Sequence, residues 1–128
     1  MVNPPSAEQL LEAVSAFLRD EALPALQGAP AYKARVAASV LDIVRRELVL
    51  APHTRVREEQ ALRHLLGERN GTTDELTPAL CARIASDAID LDTPGVGAFL
   101  WQITLAKLAV DQPGYDTYRA ALASDDNE

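Results

Sequence analysis

The sequence predicts an all-α fold: a single-domain bundle of five to six helices around a central apolar helix at about 93–110. The composition is 48% hydrophobic but only 5% aromatic, and its Ala and Leu content favours helices packed through small residues. Five segments repeat apolar residues every three or four positions, and no segment alternates with period two for the length of a strand. A chain of 128 residues fits one domain spanning 1–128.

The predicted central helix reads TPGVGAFLWQITLAKLAV at 93–110. A helix that is apolar on every side is typically buried, so we expect Trp101 to be largely buried. Thr93 suits the N-cap and Pro94 the first helical position. About 18 residues with Lys107 among them is short for a membrane span, which favours a soluble bundle.

Two longer helices are expected before it. Ser6 and Gln9 have capping-box spacing, and the apolar stripe from Leu10 to Leu18 is expected to be broken near Ala22, because Pro24 lacks a backbone donor. The second helix is predicted from about 30 to 50 and ends at Ala51-Pro52. Its apolar arc, predicted to be buried, comprises Val36, Val40, Leu41, Ile43, Val44 and Leu48, and the opposite arc includes Arg35, Ser39, Asp42 and Arg46.

A mostly polar third helix is predicted at 54–66, and a fourth at about 74–88. The fourth helix begins either with a Thr72/Glu75 capping box or at Thr77, because Pro78 suits a first turn. Its predicted buried side consists of Leu80, Cys81, Ile84 and Ala88. A short last helix is expected at 115–122, with residues 1–5 and 123–128 flexible.

The charge of the chain limits its partners. A formal net charge of −7 and a pI of about 4.8 disfavour nucleic acid and anionic membranes, both of which attract clustered Lys and Arg. Cys81 is the single cysteine, so an intrachain disulfide is excluded. The opening MVNPPSAEQLLE lacks the basic and apolar regions of a signal peptide. We therefore expect a cytoplasmic protein that binds neither nucleic acid nor membrane.

No standard catalytic motif is present: there is no phosphate-binding glycine loop, G-x-S-x-G or paired Cys/His spacing. His64 and Glu68 have the spacing of a metal pair but lack a third ligand, so His53 and His64 are interpreted as solvent-facing. Cys81 on an apolar face behaves as a small hydrophobe. These observations favour a non-enzyme and predict no catalytic residue, metal or cofactor.

Two ionisable residues lie on faces expected to be buried. Glu47 falls within the apolar arc of the second helix, and Lys107 lies on the Val96–Leu100–Ile103 side of the central helix. A buried charge is costly unless it is paired. A mutual Glu47–Lys107 ion pair would remove that cost, and the alternative is that both side chains reach water from helix ends.

A group of arginines forms a predicted anion-binding patch around the turn between the second and third helices. Its members are Arg45, Arg46, Arg55 and Arg57, with Arg63 nearby. Guanidinium groups bind phosphate and carboxylate in a bidentate manner. Because Glu47, Glu58 and Glu59 interleave with them, a salt-bridged surface is the favoured alternative.

Four stretches resemble a family of small helical bacterial proteins known as a domain of unknown function. They are PSAEQLLEAVSAFLRDE near the start, RVAASVLDIVRREL at 35–48, ALCARIASDAIDLD at 79–92 and TLAKLAVDQPGYDTY at 104–118. The resemblance covers about Ser6 to Tyr118. It implies a genomic neighbourhood with acyl-CoA dehydrogenase-like and aminoglycoside-phosphotransferase-like proteins, but no catalytic residues.

Two hypotheses of function follow. The first is a helical accessory or interaction protein associated with acyl-CoA metabolism, whose partner is an acyl-CoA dehydrogenase-like or phosphotransferase-like protein; a homodimer stays open. The alternative is a protein or enzyme that binds a small molecule, either an acyl-CoA or a hydroxy acid. It would use the Arg45/Arg46/Arg55 patch or the Glu47/Lys107 pair.

Overall fold

The all-α prediction is confirmed. The computed structural model describes residues 3–126, and within that range the chain forms helices and no strand. Six α-helices and one π-helix follow in order: α1 Ala7–Phe17, the π-helix Leu18–Ala22, α2 Leu23–Ala25, α3 Ala29–Leu66, α4 Thr73–Ala85, α5 Val96–Asp111 and α6 Asp116–Asp125. None of the described helices is long and apolar enough to cross a membrane.

The predicted end of the second helix at Pro52 is wrong. One helix of 38 residues, α3, includes both the second and third predicted helices, with Pro52 inside it. A proline removes one backbone donor but fixes a φ that is itself helical, so a single proline between good helix formers does not have to end the helix. The chain nevertheless divides at this proline into two compact units, Met1–Ala51 (unit 1) and Pro52–Glu128 (unit 2).

In unit 1, the start of α1 and its interruption follow the sequence. Ser6 and Gln9 form the predicted capping box, with the Gln9 backbone donating to Ser6 Oγ at 3.2 Å and the Ser6 backbone donating to Gln9 Oε1 at 2.9 Å. The interruption begins at Leu18, earlier than predicted. There the chain widens into the π-helix, and the Leu23 N–H reaches back to the Leu18 carbonyl. Pro24, which has no N–H, follows directly.

The face of α3 that meets α1 is the polar and small-residue face, which corrects the prediction for this helix. Ser15 Oγ donates to Asp42 Oδ1 at 2.8 Å, and the Arg19 guanidinium donates to Asp42 Oδ2 at 2.7 Å. Ala34 and Ala38 are buried, and both lie on the same side of α3 as Asp42. Small side chains permit close approach of two helices, and Asp42 satisfies both polar partners, so these residues fix the contact.

Unit 2 contains the hydrophobic core. It consists of seven buried side chains, Leu62, Leu66, Leu76, Leu80, Ile89, Val96 and Phe99. They come from the end of α3, from α4, from the connection that follows and from the start of α5. Leu62 has no exposed surface, although it lies in the segment 54–66 that was predicted to be a mostly polar helix.

Capping by Thr72 settles where α4 begins. The Glu75 N–H donates to Thr72 Oγ1 at 3.3 Å, and Pro78 lies inside the helix. The predicted buried side is wrong at three of its four residues: Cys81, Ile84 and Ala88 are exposed and Leu80 is buried, with Leu76 as its buried neighbour. Since buried residues recur every four positions here, the core-facing stripe lies one turn earlier than the sequence indicated.

The predicted central helix, α5, begins later and is less enclosed than expected. Gly95 is its N-cap, with φ +89°, whereas Thr93 exchanges hydrogen bonds with Asp90 instead. Trp101 is 49% exposed, so the prediction that it is largely buried is wrong. Only the side with Val96 and Phe99 is buried in the core, and the rest of α5 is partly or fully exposed.

At the end of the described chain, α6 continues to Asp125. The predicted tail at 123–128 therefore begins inside this helix, and residues 127–128 lie outside the described range. Residues 3–5 are exposed and non-helical, and residues 1–2 also lie outside the description. Tyr118 is the buried residue of α6, which belongs to unit 2.

Candidate functional site

An open, largely apolar cleft of about 290 Å³ lies in unit 2, among the second half of α3, α5 and α6. Phe99, Ile103 and Ala106 recur every three or four residues and line one wall as a single face of α5. Tyr118 and Leu122 face it from α6. Its full lining is Thr54, Arg57, Glu58, Phe99, Gln102, Ile103, Leu105, Ala106, Ala109, Tyr118 and Leu122.

Polar groups are concentrated on one edge of the cleft. Thr54, Arg57 and Glu58 have the i, i+3, i+4 spacing that places them on one side of α3, and Gln102 adds an amide from α5. An apolar cavity with a few polar groups at its edge is the usual form of a small-molecule site, whose volume typically lies at about 300–1,000 Å³. This cleft is at the lower end of that range, so it suits a short amphipathic molecule.

The predicted anion-binding arginines are distributed over both units. Arg45 and Arg46 belong to unit 1, whereas Arg55 and Arg57 belong to unit 2. Arg45 lies 3.8 Å from the Glu12 carboxylate, and Arg46 is partly buried. Arg57 lines the cleft, and Arg55 is exposed but does not line it. The anion-binding patch therefore stays a prediction, and Arg57 is the member with an adjoining cavity.

Glu47 and Lys107 are both exposed. Glu47 belongs to unit 1 and Lys107 to unit 2. Because each side chain reaches solvent, neither residue needs an ionic partner to avoid the cost of a buried charge. Their mutual ion pair stays a prediction, with the energy expected of an exposed pair rather than a buried one.

Asp42 is partly buried and accepts hydrogen bonds from two side chains, and its pKa is shifted from the ordinary value. Partial burial alone would raise the pKa of its carboxyl group. Hydrogen bonds from Arg19 and Ser15, together with the charges of Arg19 and Arg45, outweigh that effect and hold the pKa below its ordinary value of 3.8. A carboxylate that is ionised, paired and hydrogen-bonded at neutral pH stabilises structure and is a poor general base.

Arg63 also has a structural position. Its guanidinium donates to the Gly71 carbonyl at 2.9 and 3.0 Å and lies 3.7 Å from Glu59. The Glu59 carboxylate accepts the Thr73 N–H at 3.2 Å. These contacts fix the loop between α3 and α4, so Arg63 is not available as an anion-binding group.

Unit 1 exposes apolar side chains along two helices. On α1 these are Leu10, Val14 and Phe17; on α3 they include Val36, Val40, Val44 and Leu48. Both sets have helical spacing, and both lie away from the Ser15–Asp42 contact. Contiguous exposed apolar surface of this kind marks interaction sites more often than single exposed residues do.

The histidines and the cysteine do not form a cluster. His53, His64 and Cys81 are exposed. Across residues 3–126, no three His, Cys, Asp or Glu side chains are grouped so as to hold a metal ion.

Residues 24–115 match the family described as Domain of unknown function (DUF6285). The chain belongs to this family. The match extends over most of the resemblance recognised in the sequence and assigns no activity or site. The chain has no match among curated proteins or among solved structures.

Several cleft residues were not predicted from the sequence. Phe99 and Ile103 were assigned to the core of a central helix, and Gln102 and Tyr118 were not singled out. The one available signal was the spacing of Thr54, Arg57 and Glu58. The approach of α6 to α5, which closes the cleft, depends on tertiary packing and has no signature in local sequence.

Proposed function

We propose that the protein is a non-catalytic helical interaction protein. The observation that carries the proposal is the exposed apolar surface of unit 1, on the outer sides of α1 and α3. Burying such surface yields about 25 cal/mol per Å² removed from water. Leu10, Val14, Phe17, Val36 and Val40 are each about half exposed, so a partner that covers them would bury further apolar surface.

The partner class comes from the resemblance and not from the geometry. The proposed partner is an acyl-CoA dehydrogenase-like or phosphotransferase-like protein, and the proposed role of this chain is to assist such a partner in acyl-CoA metabolism. The proposal also includes a second copy of the chain as a partner. The outer face of α1, with Leu10, Val14 and Phe17, is the surface proposed for the partner protein, because an amphipathic helix face commonly docks into an apolar groove.

Calorimetric titration of the purified full chain with a purified partner of either class tests this proposal. Leu10→Asp should weaken binding at least about tenfold, which corresponds to about 1.4 kcal/mol. Leu91→Asp is the matched control, since Leu91 is an exposed leucine outside unit 1, and it should leave binding unchanged. Absence of heat with both partner classes, or equal losses in both variants, would contradict the proposal.

A second candidate function rests on the cleft in unit 2. Its apolar walls and the guanidinium of Arg57 fit a short amphipathic carboxylate such as a hydroxy acid. A cleft of about 290 Å³ would enclose only the short acyl end of an acyl-CoA and would leave its nucleotide outside.

Thermal unfolding in the presence of hydroxy acids and CoA thioesters tests the second candidate. A ligand at 100 times its dissociation constant adds about 2.7 kcal/mol of stability. Arg57→Gln should abolish the stabilisation, whereas Arg55→Gln should preserve it, because Arg55 does not line the cleft. No stabilisation by any of these compounds would exclude this function.

A further inference from the structure

The outer face of the first half of α3 carries a symmetric pattern of residues. Val40 lies at its centre, Val36 and Val44 lie four residues to either side, and Lys33 and Glu47 lie seven residues to either side. At about 100° per residue, all five fall within an arc of about 80°. All five are exposed, so they form one continuous stripe, here called the Val40 stripe.

The Val40 stripe is apolar in the middle and oppositely charged at its two ends. We propose that it is the interface of a homodimer in which the α3 helices of two copies pack antiparallel around a two-fold axis at Val40. In that arrangement Lys33 of each copy lies beside Glu47 of the other, so one geometry forms two ion pairs. This inference rests on the proposed interaction function and names one partner, a second copy of the chain.

Charge complementarity selects the antiparallel arrangement. In a parallel pair at the same register, Lys33 would face Lys33 and Glu47 would face Glu47, and both contacts would be repulsive. A two-fold axis needs a self-complementary surface. Rotation about an axis at Val40 places Lys33 of one copy against Glu47 of the other, so the Val40 stripe is self-complementary. Residues 33 and 47 are each about 10 Å from Val40 along the axis, at 1.5 Å per residue.

The area of the interface sets its strength. Val36, Val40 and Val44 with the flanking Tyr32 and Leu48 are each roughly half exposed, which amounts to on the order of 500 Å² per copy, below the roughly 800 Å² of a standard interface. A contact of this size forms a weak dimer, so we expect a dissociation constant in the micromolar range, on the order of 1–100 μM.

The α3 contact with α1 leaves the Val40 stripe accessible. Ala34, Ala38 and Asp42, which face α1, lie on the opposite side of α3. Dimerisation through Val40 therefore does not require α1 to separate from α3. It also leaves Leu10, Val14 and Phe17 of α1 outside the interface.

Sedimentation of the full-length chain over a range of micromolar concentrations tests the proposal. Val40→Glu should abolish dimerisation, and Val56→Glu is its matched control, because both valines lie on α3 and are 52% and 55% exposed. If both variants sediment like the original chain, or both dissociate, the Val40 stripe is not the interface.

Charge exchange gives the sharper test. Lys33→Glu alone and Glu47→Lys alone should each weaken dimerisation about tenfold, because each puts two like-charge contacts in place of two ion pairs. The double variant should restore the original dissociation constant within about threefold. A double variant as weak as either single variant, or a chain that is monomeric throughout, would overturn the dimer. Those outcomes leave the calorimetric test of the heterologous partner unaffected.

Discussion

From Pro52 to Asp126 the chain buries large apolar side chains, whereas from Asn3 to Ala51 it buries small ones. Unit 2 packs seven core residues, from Leu62 to Phe99. Of the described residues of unit 1, those that are buried are Ser15, Ala34 and Ala38. The helix α3 runs through both units. Its second half contributes to the apolar core, whereas Asp42 in its first half accepts hydrogen bonds from Ser15 and Arg19.

This difference in burial indicates which unit stabilises the fold and which unit is exposed for binding. Burial of a large side chain stabilises by about 1.5–3 kcal/mol, so we expect unit 2 to have the more stable structure. Unit 1 leaves Leu10, Phe17, Val40 and Val44, among others, at the surface and connects its helices through a partly exposed charge cluster. The less stable unit is also the one that presents apolar surface to other molecules, as expected for a binding region.

The largest expected effect is at the core of unit 2. Leu62→Ala should lower the free energy of unfolding by about 2–5 kcal/mol, because it leaves a cavity among fully buried side chains. Val40→Ala in unit 1 should change it by less than about 0.5 kcal/mol at concentrations where the chain is monomeric. Urea denaturation measures both. Equal losses in the two variants would remove the proposed contrast between the units.

Substitutions at two separate glycines of unit 2, Gly71 and Gly97, test the backbone geometry around its core. Gly71 has φ +126°, and an added Cβ would lie 2.8 Å from the buried Leu76 side chain. Gly71→Ala should therefore destabilise by about 1–3 kcal/mol. Gly97, inside α5, has open space around it, so Gly97→Ala should stabilise by up to about 1 kcal/mol. Thermal unfolding of the two variants should shift in opposite directions; shifts in the same direction would contradict the backbone geometry at Gly71.

Asp42 tests the polar contact of unit 1. Asp42→Asn should lower the free energy of unfolding by about 1 kcal/mol at pH 7, since it removes a charge paired with Arg19. Asp20→Asn is the control: Asp20 is exposed, so the change should be below about 0.5 kcal/mol.

The same carboxylate predicts a dependence on pH. The pKa of Asp42 is lower in the folded chain than its ordinary value of 3.8, so its stabilisation is fully present above that value. As pH falls below 3.8 towards the folded pKa, the unfolded chain takes up a proton first, and that stabilisation is lost. Acid titration followed by circular dichroism should show this loss in the original chain and its absence in Asp42→Asn. An identical acid profile in both chains would contradict it.

The smallest expected effect concerns Glu47 and Lys107. For an exposed pair, a double-mutant cycle with Glu47→Gln and Lys107→Met should give a coupling energy of about 0.2–1 kcal/mol. Strictly additive effects of the two substitutions would show that Glu47 and Lys107 do not interact. A second double-mutant cycle, with Glu47→Gln and Lys33→Met at concentrations that favour the dimer, tests whether Glu47 instead pairs with Lys33 of the second copy.

Local signals in the sequence predicted that the chain is helical and where α1 begins, but not that α3 continues through Pro52 or which sides of the helices are covered. The capping residues Ser6 and Thr72 mark the starts of α1 and α4, because a cap depends on neighbours within one turn. The sequence misplaced the buried side of α3, since Val36 and Val40 look like core residues by periodicity alone. Which side of an amphipathic helix is covered depends on the elements that reach it, and here Asp42 binds Arg19 and Ser15 and brings the alanine side against α1.

The candidate site shows the same limit. The sequence included Arg57 in a group of four clustered arginines, but its relation to Phe99 and Tyr118 depends on how α5 and α6 pack. Trp101 was expected inside a helix that is apolar all round, yet only the side of α5 with Val96 and Phe99 is fully buried. Hydropathy identifies which helices can be buried, and tertiary packing decides how much of each helix is.

Native-state hydrogen exchange of the full-length chain tests the contrast between the units most directly. Amides of α4 and of α5 near Phe99 should exchange only through the opening of highest free energy. Amides of α1 and of α3 before Pro52 should exchange through openings of lower free energy, and protection around Val40 should rise with protein concentration. Equal protection in both units, independent of concentration, would contradict both the contrast and the dimer that follows from it.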